Sequence, residues 1–167
     1  MTDFSQTDAQ FQAEISGFEP DFDFLASFGD TVLPVLEELL AGDDELLAQR
    51  AVYVAGLLDG GVGLPLLEQA TQDPRETVRV AVAGAIRSQG VKIMSKSDNA
   101  VAAISLTKIV NRLLADSDSS VRRWTAKSAG ILGLESVKAE LEKLERDDAE
   151  AFVRSAATQA LKQVGRQ

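Results

Sequence analysis

The sequence contains no cysteine. Disulfides and thiolate metal ligands are therefore excluded, and the composition fits a reducing, cytoplasmic setting. It contains no histidine either. The commonest general base and the commonest metal ligand are both missing. No stretch reaches the roughly 18 consecutive apolar residues of a membrane span. The N-terminus lacks a basic region followed by an apolar block, so no secretory signal is read there.

Bases are missing from one whole region. Residues 1–49 hold 12 Asp and Glu and no Lys or Arg, the first base being Arg50. The remainder carries 17 Lys and Arg against 14 Asp and Glu, a net of +3 within an overall −9. Aromatics are equally uneven: Phe4, Phe11, Phe18, Phe22, Phe24 and Phe28 lie in the head, and of the phenylalanines only Phe152 lies elsewhere. The single Tyr is Tyr53 and the single Trp is Trp124. An acidic, Phe-rich head thus precedes a near-neutral body.

What the body does have is repetition, which decides a fold before any other signal. DPRETVRVAVAGAIRSQG (73–90), DSDSSVRRWTAKSAGILG (116–133) and DAEAFVRSAATQALKQVG (148–165) share a frame. Val78, Val121 and Val153 each precede an arginine, Arg79, Arg122 or Arg154. Asp73, Asp116 and Asp148 lie five residues before those valines, and Gly90, Gly133 and Gly165 lie eleven after the arginines. A degenerate copy aligns Arg50 and ends at Gly61, with Gln49 in the Val column.

Each copy has a helical period. Val121, Thr125, Ser128, Ala129 and Leu132 share one face, and so do Val153, Ala157, Ala160, Leu161 and Val164. The closing glycines suit left-handed C-terminal caps. Ser119 suits an N-cap, and Pro74-Arg75-Glu76 suits a helix start. A second apolar helix is expected before each acidic turn, at 31–42, 62–72, 100–115 and 135–145. Pro34 and Pro65 sit near the starts of the first two. Each unit is therefore helix A, a tight turn, and helix B. One such pair cannot bury its own apolar face, but stacked pairs share a core.

The Val-Arg phrase, its small residues, its closing apolar-Gly and the Asp turn before it resemble HEAT repeats, especially the short HEAT-like repeats of the phycobilisome-lyase type. The resemblance spans about residues 30–165. It implies an all-α fold: a short right-handed α-solenoid of about four HEAT-like hairpins with an N-terminal cap or arm. The units are read at about 30–61, 62–90, 91–133 and 134–165 within a repeat domain of 30–167, and residues 1–29 form the head. Residues 91–105 exceed the family's usual link and are expected to lengthen a helix or form a loop. In HEAT-like families the repeated arginine bridges to the acidic turn of an adjacent unit. The resemblance therefore makes Asp73, Arg79, Asp116, Arg122, Asp148 and Arg154 an architectural ladder rather than an active site.

Function in a solenoid is expected on the extended concave surface lined by the B helices. The positions free for contact are Leu47, Ala48, Ala51 and Ala55; Glu76, Thr77, Val80 and Gly84; Ser119, Ser120, Arg123 and Lys127; and Ala151, Phe152, Ser155 and Gln159. Trp124 lies alongside the third set and reads either as core or as a contact. The pattern is an apolar strip with a basic edge, suited to an amphipathic helix or an extended acidic peptide. The head reads as a short helix near 7–16 and an apolar cap, as an arm docked in the groove, or as a free recognition tail.

The reading is a non-catalytic scaffold or adaptor that binds a partner protein or peptide, with no catalytic residue, metal or cofactor assigned. The alternative, which the resemblance suggests, is an accessory subunit of a bilin lyase or another cofactor-handling factor. Nucleic-acid binding ranks below both. Affinity for nucleic acid comes mainly from neutralising phosphates, and an overall −9 opposes it. DDE (43–45) and DSDSS (116–120) are too short for a Ca²⁺ loop, and GGVG (60–63) lacks the Lys-Ser/Thr of a phosphate loop.

Overall fold

The computed structural model describes residues 4–94 and 100–164, and every regular element among them is helical. Two short helices form the head: α1 (Phe4–Ile15) and α2 (Phe22–Ser27). Four hairpins follow. Helices α3 (Leu33–Ala41) and α4 (Glu45–Leu57) make the first, and α5 (Leu64–Ala70) and α6 (Glu76–Met94) the second. Helices α7 (Ala100–Leu114) and α8 (Ser119–Leu132) make the third, and α9 (Lys138–Asp147) and α10 (Ala151–Val164) the fourth. The B helices stack consecutively, α4 on α6, α6 on α8 and α8 on α10, and α7 packs between α5 and α9. The fold is an α-solenoid.

The helix starts follow from local chemistry. Asp44 and Asp118 accept backbone N–H bonds from the first turns of α4 and α8. Asp118, not the expected Ser119, is the N-cap of α8, because its carboxylate reaches two donors, Ser120 and Val121, at 2.8 and 3.1 Å. Pro34 and Pro65 occupy the first turns of α3 and α5, where no intrahelical donor is lost.

The helix ends divide. Gly133 closes α8 at φ 62°, the left-handed cap expected of it. Gly90 does not close its helix: α6 runs through it to Met94. That glycine serves close packing, since a Cβ there would lie 2.5 Å from Leu132 Cδ1. Of the 91–105 link, residues 91–94 lengthen α6 and 100–105 belong to α7, while Gly165 and residues 95–99 lie outside the described residues. Helix α4 ends at Leu57 without a glycine cap. Its terminal carbonyls are taken by the extended end of α6 instead. Buried Gln89 donates to Ala55 and Leu58 at 2.8 and 2.7 Å, and the Lys92 ammonium donates to Leu57.

The core runs along the stack, with Val121, Thr125, Ser128, Ala129 and Leu132 of α8 and Val153, Ala157, Ala160 and Val164 of α10 all buried. Small residues set the spacing between B helices. Ala85 meets Gly56, and Ala160 meets Gly130 so closely that a Cβ on Gly130 would lie 2.6 Å from the Ala160 Cα. Gly130→Ala is expected to cost about 1–3 kcal/mol by overpacking. Gly84→Ala, on the same type of helix, has no heavy atom within 4 Å of the new Cβ and is expected to gain about 0.5–1 kcal/mol. Thermal unfolding of the two variants checks the pair.

Candidate binding face

Each junction in the stack carries a bridging arginine. At the first, Arg50 of α4 donates to the carbonyls of Ile15 and Gly17 at 2.7 and 2.8 Å, holding the head. At the second, Arg75 reaches back to the Leu40 and Gly42 carbonyls at the end of α3, at 2.8 and 2.9 Å. At the third, Arg79 forks onto the Asp116 carboxylate at 2.8 and 3.1 Å. At the fourth, Arg122 forks onto Asp148 at 2.7 and 3.0 Å. Arg79 and Arg122 also donate to the backbone of their own turns, Asp73 and Asp116 supplying the carbonyls. Arg154 makes the same turn contacts, to Asp148 and Ala149, at the last unit.

One part of the expected ladder is different. Asp73 does not pair with the preceding unit's Arg50. It is forked by Arg75 of its own turn at 2.8 and 2.7 Å. The reason is local: Arg75 lies two residues away, and Asp73 already accepts its backbone N–H, while Arg50 is committed to the head.

Two of the paired carboxyls, those of Asp148 and Asp73, titrate low. The hydrogen-bonded Arg122 guanidinium holds the Asp148 carboxyl below its ordinary value, against the opposing effect of burial. Arg75 does the same for Asp73. A lowered folded pKa adds stability above the unfolded value, about 3.9. That stability is lost as pH falls through the lowered folded value. Wild-type stability in urea should therefore decline steeply below about pH 4, and Asp148→Asn should be less stable near neutrality but flatter across this acid limb.

With the arginines turned to the junctions, the outer B-helix side is open. Exposed or half-buried on it are Glu76, Thr77 and Val80 of α6, Ser119, Ser120, Arg123, Trp124 and Lys127 of α8, and Phe152, Ser155 and Gln159 of α10. Thr77 is engaged with Glu45 of α4. Trp124 is 46% exposed and Phe152 43%. The two form one cluster with the bases: Arg123 sits 5.7 Å from both ring centroids, and Lys127 sits 4.7 Å from that of Trp124. Cations over an indole face are attracted by its quadrupole. Trp124 is therefore a surface group rather than core. Beside the cluster, Lys127, Ile131, Ala156, Gln159, Ala160 and Gln163 line a hollow of about 200 Å³.

The first unit departs from expectation. Ala48, Ala51 and Ala55 form no surface strip, because all three are fully buried. Helix α4 is enclosed by α2, α3, α5 and α6, so positions that are open on α8 are closed there. Its exposed apolar side chains are Leu46 and Tyr53. These meet the head. Phe18, Pro20, Phe22, Leu46, Gln49, Arg50, Tyr53 and Ala81 line a groove of about 420 Å³, and Phe22 packs edge-on to Tyr53 at 4.6 Å. Phe18 stands 95% exposed at its rim. The reading of the head as an arm at the groove did not single out Phe18. Its sign in the sequence is a Phe in the glycine-proline stretch SGFEP (16–20), outside any apolar period.

Two comparisons bear on these features. A family model for HEAT repeats matches residues 63–162. No curated protein matches the sequence.

Proposed function

Because this chain belongs to the HEAT-repeat family, we propose that it is a non-catalytic adaptor that binds a partner protein or peptide through its outer B-helix face. HEAT repeats generally mediate protein–protein interaction, and the family is typically a non-catalytic scaffold. The observation that carries the reading is the Arg123–Trp124–Lys127–Phe152 cluster. It joins two helices of different units at the surface. Tryptophan and arginine are the side chains that most often dominate binding energy at interfaces. On the neighbouring surface of α6, Val80, Ala81 and Gly84 make a shallow floor between Glu76 and Arg87 that an extended chain or a helix can cross. Two bases beside two aromatic rings favour a segment carrying both acidic and apolar side chains.

Charge reversal tests this. Arg123→Glu with Lys127→Glu should keep the melting temperature within a few degrees, since surface substitutions change stability by about 0.5 kcal/mol or less. The same variant should lose at least about tenfold in partner capture from native lysate, the worth of one modest hot spot. Undiminished capture by the folded variant would move recognition off this face.

A further inference from the structure

The outer B-helix face has two poles of opposite charge, and both carry an exposed aromatic. At the head end, Phe18 is 95% exposed, in a loop with the exposed acidic residues Glu19 and Asp23 close by in the chain. At the other end, Arg123 and Lys127 surround Trp124 and Phe152. The poles share one face. Ala81, in the groove beneath Phe18, and Trp124 each lie two residues after a junction arginine, Arg79 and Arg122, on adjacent stacked helices.

We propose that this face is self-complementary, and that two copies of the chain pair through it about a two-fold axis. The acidic Phe18 loop of each copy then seats on the Arg123–Trp124–Lys127–Phe152 cluster of the other. A two-fold interface requires that whatever one surface presents, the same surface accepts elsewhere, and opposite poles on one face meet that requirement when the copies run antiparallel. The axis then falls between the poles, over α6. There the outer residues are Val80, Ala81 and Gly84, with exposed Glu76 and Arg87 one turn to either side, and open space lies above Gly84. Small residues at the axis let the two α6 helices approach closely. Phe18 gains an aromatic, cation-rimmed seat in place of water, and the bases gain carboxylates, the sign pairing that fixes register at interfaces. The net charge of −9 per copy opposes association, but at physiological ionic strength it is screened beyond about 8 Å, whereas the contacting pairs are not.

This pairing is a property of the chain alone, so it stands or falls separately from partner binding. The measurement is solution mass by sedimentation at physiological salt, in a concentration series reaching about 1 mM, the weak end of specific association. The expected result is a rise from 17.9 kDa to a plateau at twice that value. Two charge-reversed variants, Arg123→Glu/Lys127→Glu and Glu19→Lys/Asp23→Lys, should each stay monomeric alone, with folding confirmed by circular dichroism. Mixed in equal amounts they should regain the dimer, because each acidic pole again meets a basic one. Phe18→Ser, at a fully solvated position, should weaken the wild-type dimer without altering the fold. A wild-type monomer throughout the series would overturn the proposal. So would a dimer that survives in both variants, a mixture that stays monomeric, or a mass that climbs past two copies without a plateau. The lysate capture above decides the adaptor reading whichever of these is found.

Discussion

Arg122→Ala should lower the stability of the fold by about 3–5 kcal/mol, the cost of leaving one member of a buried ion pair without its partner. The side chains are 14% exposed for Arg122 and 3% for Asp148, so water cannot replace what is removed. The deletion takes away both prongs of the fork onto Asp148 and the two bonds to the Asp116 and Ser117 carbonyls. It therefore loosens the α7–α8 turn and its junction with the next unit together. For a chain of this length the melting temperature should fall by roughly 6–20 °C. Arg122→Lys should recover only part of this, because an ammonium cannot fork onto a carboxylate and reach two carbonyls at once. Arg154→Ala is the control. Arg154 makes the same turn contacts, and its loss should cost about 1.5–3 kcal/mol, the value of charge-assisted hydrogen bonds. At temperatures where Arg122→Ala remains folded, partner capture should match wild type. Capture lost at an unchanged melting temperature would instead make Arg122 part of the binding surface.

The contrast between Arg122 and Arg154 also shows how far the repeated phrase could be read. The period in α8 and α10 identified their buried faces, because each packs on the B helix before it and on the A helix of its own unit. The Asp and Arg columns marked the junctions for the same reason. What escaped the sequence lies where repetition breaks. Asp73 has an arginine two residues away, and the choice between it and Arg50 depends on turn geometry that spacing does not encode. Gly90 stands in the capping column but continues as helix, because the link after it is longer and the extra turn of α6 carries Gln89 and Lys92 to the carbonyls ending α4. The alanines of α4 sit in the open columns only when the degenerate phrase is aligned on Arg50. On the helix they lie opposite the exposed Leu46 and Tyr53 and are core, and the face passes to those two and the loop bearing Phe18. End units differ from middle ones because one of their two neighbours is not a repeat.

The head is the larger of these departures, and Phe11→Ala should show what it is worth. Phe11 is fully buried and meets Phe28 edge-on at 5.8 Å, with Ile15 and Leu25 also fully buried beside it. Truncating such a side chain costs about 3–5 kcal/mol. In a solenoid that cost need not spread along the stack, because each unit is coupled only to its neighbours. If the head is held by less than this amount, α1 and α2 should release while the later hairpins stay folded. Amide exchange resolves the two levels. In the wild type, the amides of α1 and α2 should be protected, since Arg50 and the buried rings close this end of the core. In Phe11→Ala their exchange should accelerate by at least about a hundredfold, the equivalent of 3 kcal/mol, while the amides of α8 and α10 keep their wild-type rates. Unprotected amides in the wild-type head would mean a free tail, and equal acceleration along the whole chain would mean that the head and the repeats unfold as one unit. Local release would make residues 1–29 a cap that can detach from an intact stack, carrying Phe18 and the acidic pole away from the B-helix face with it.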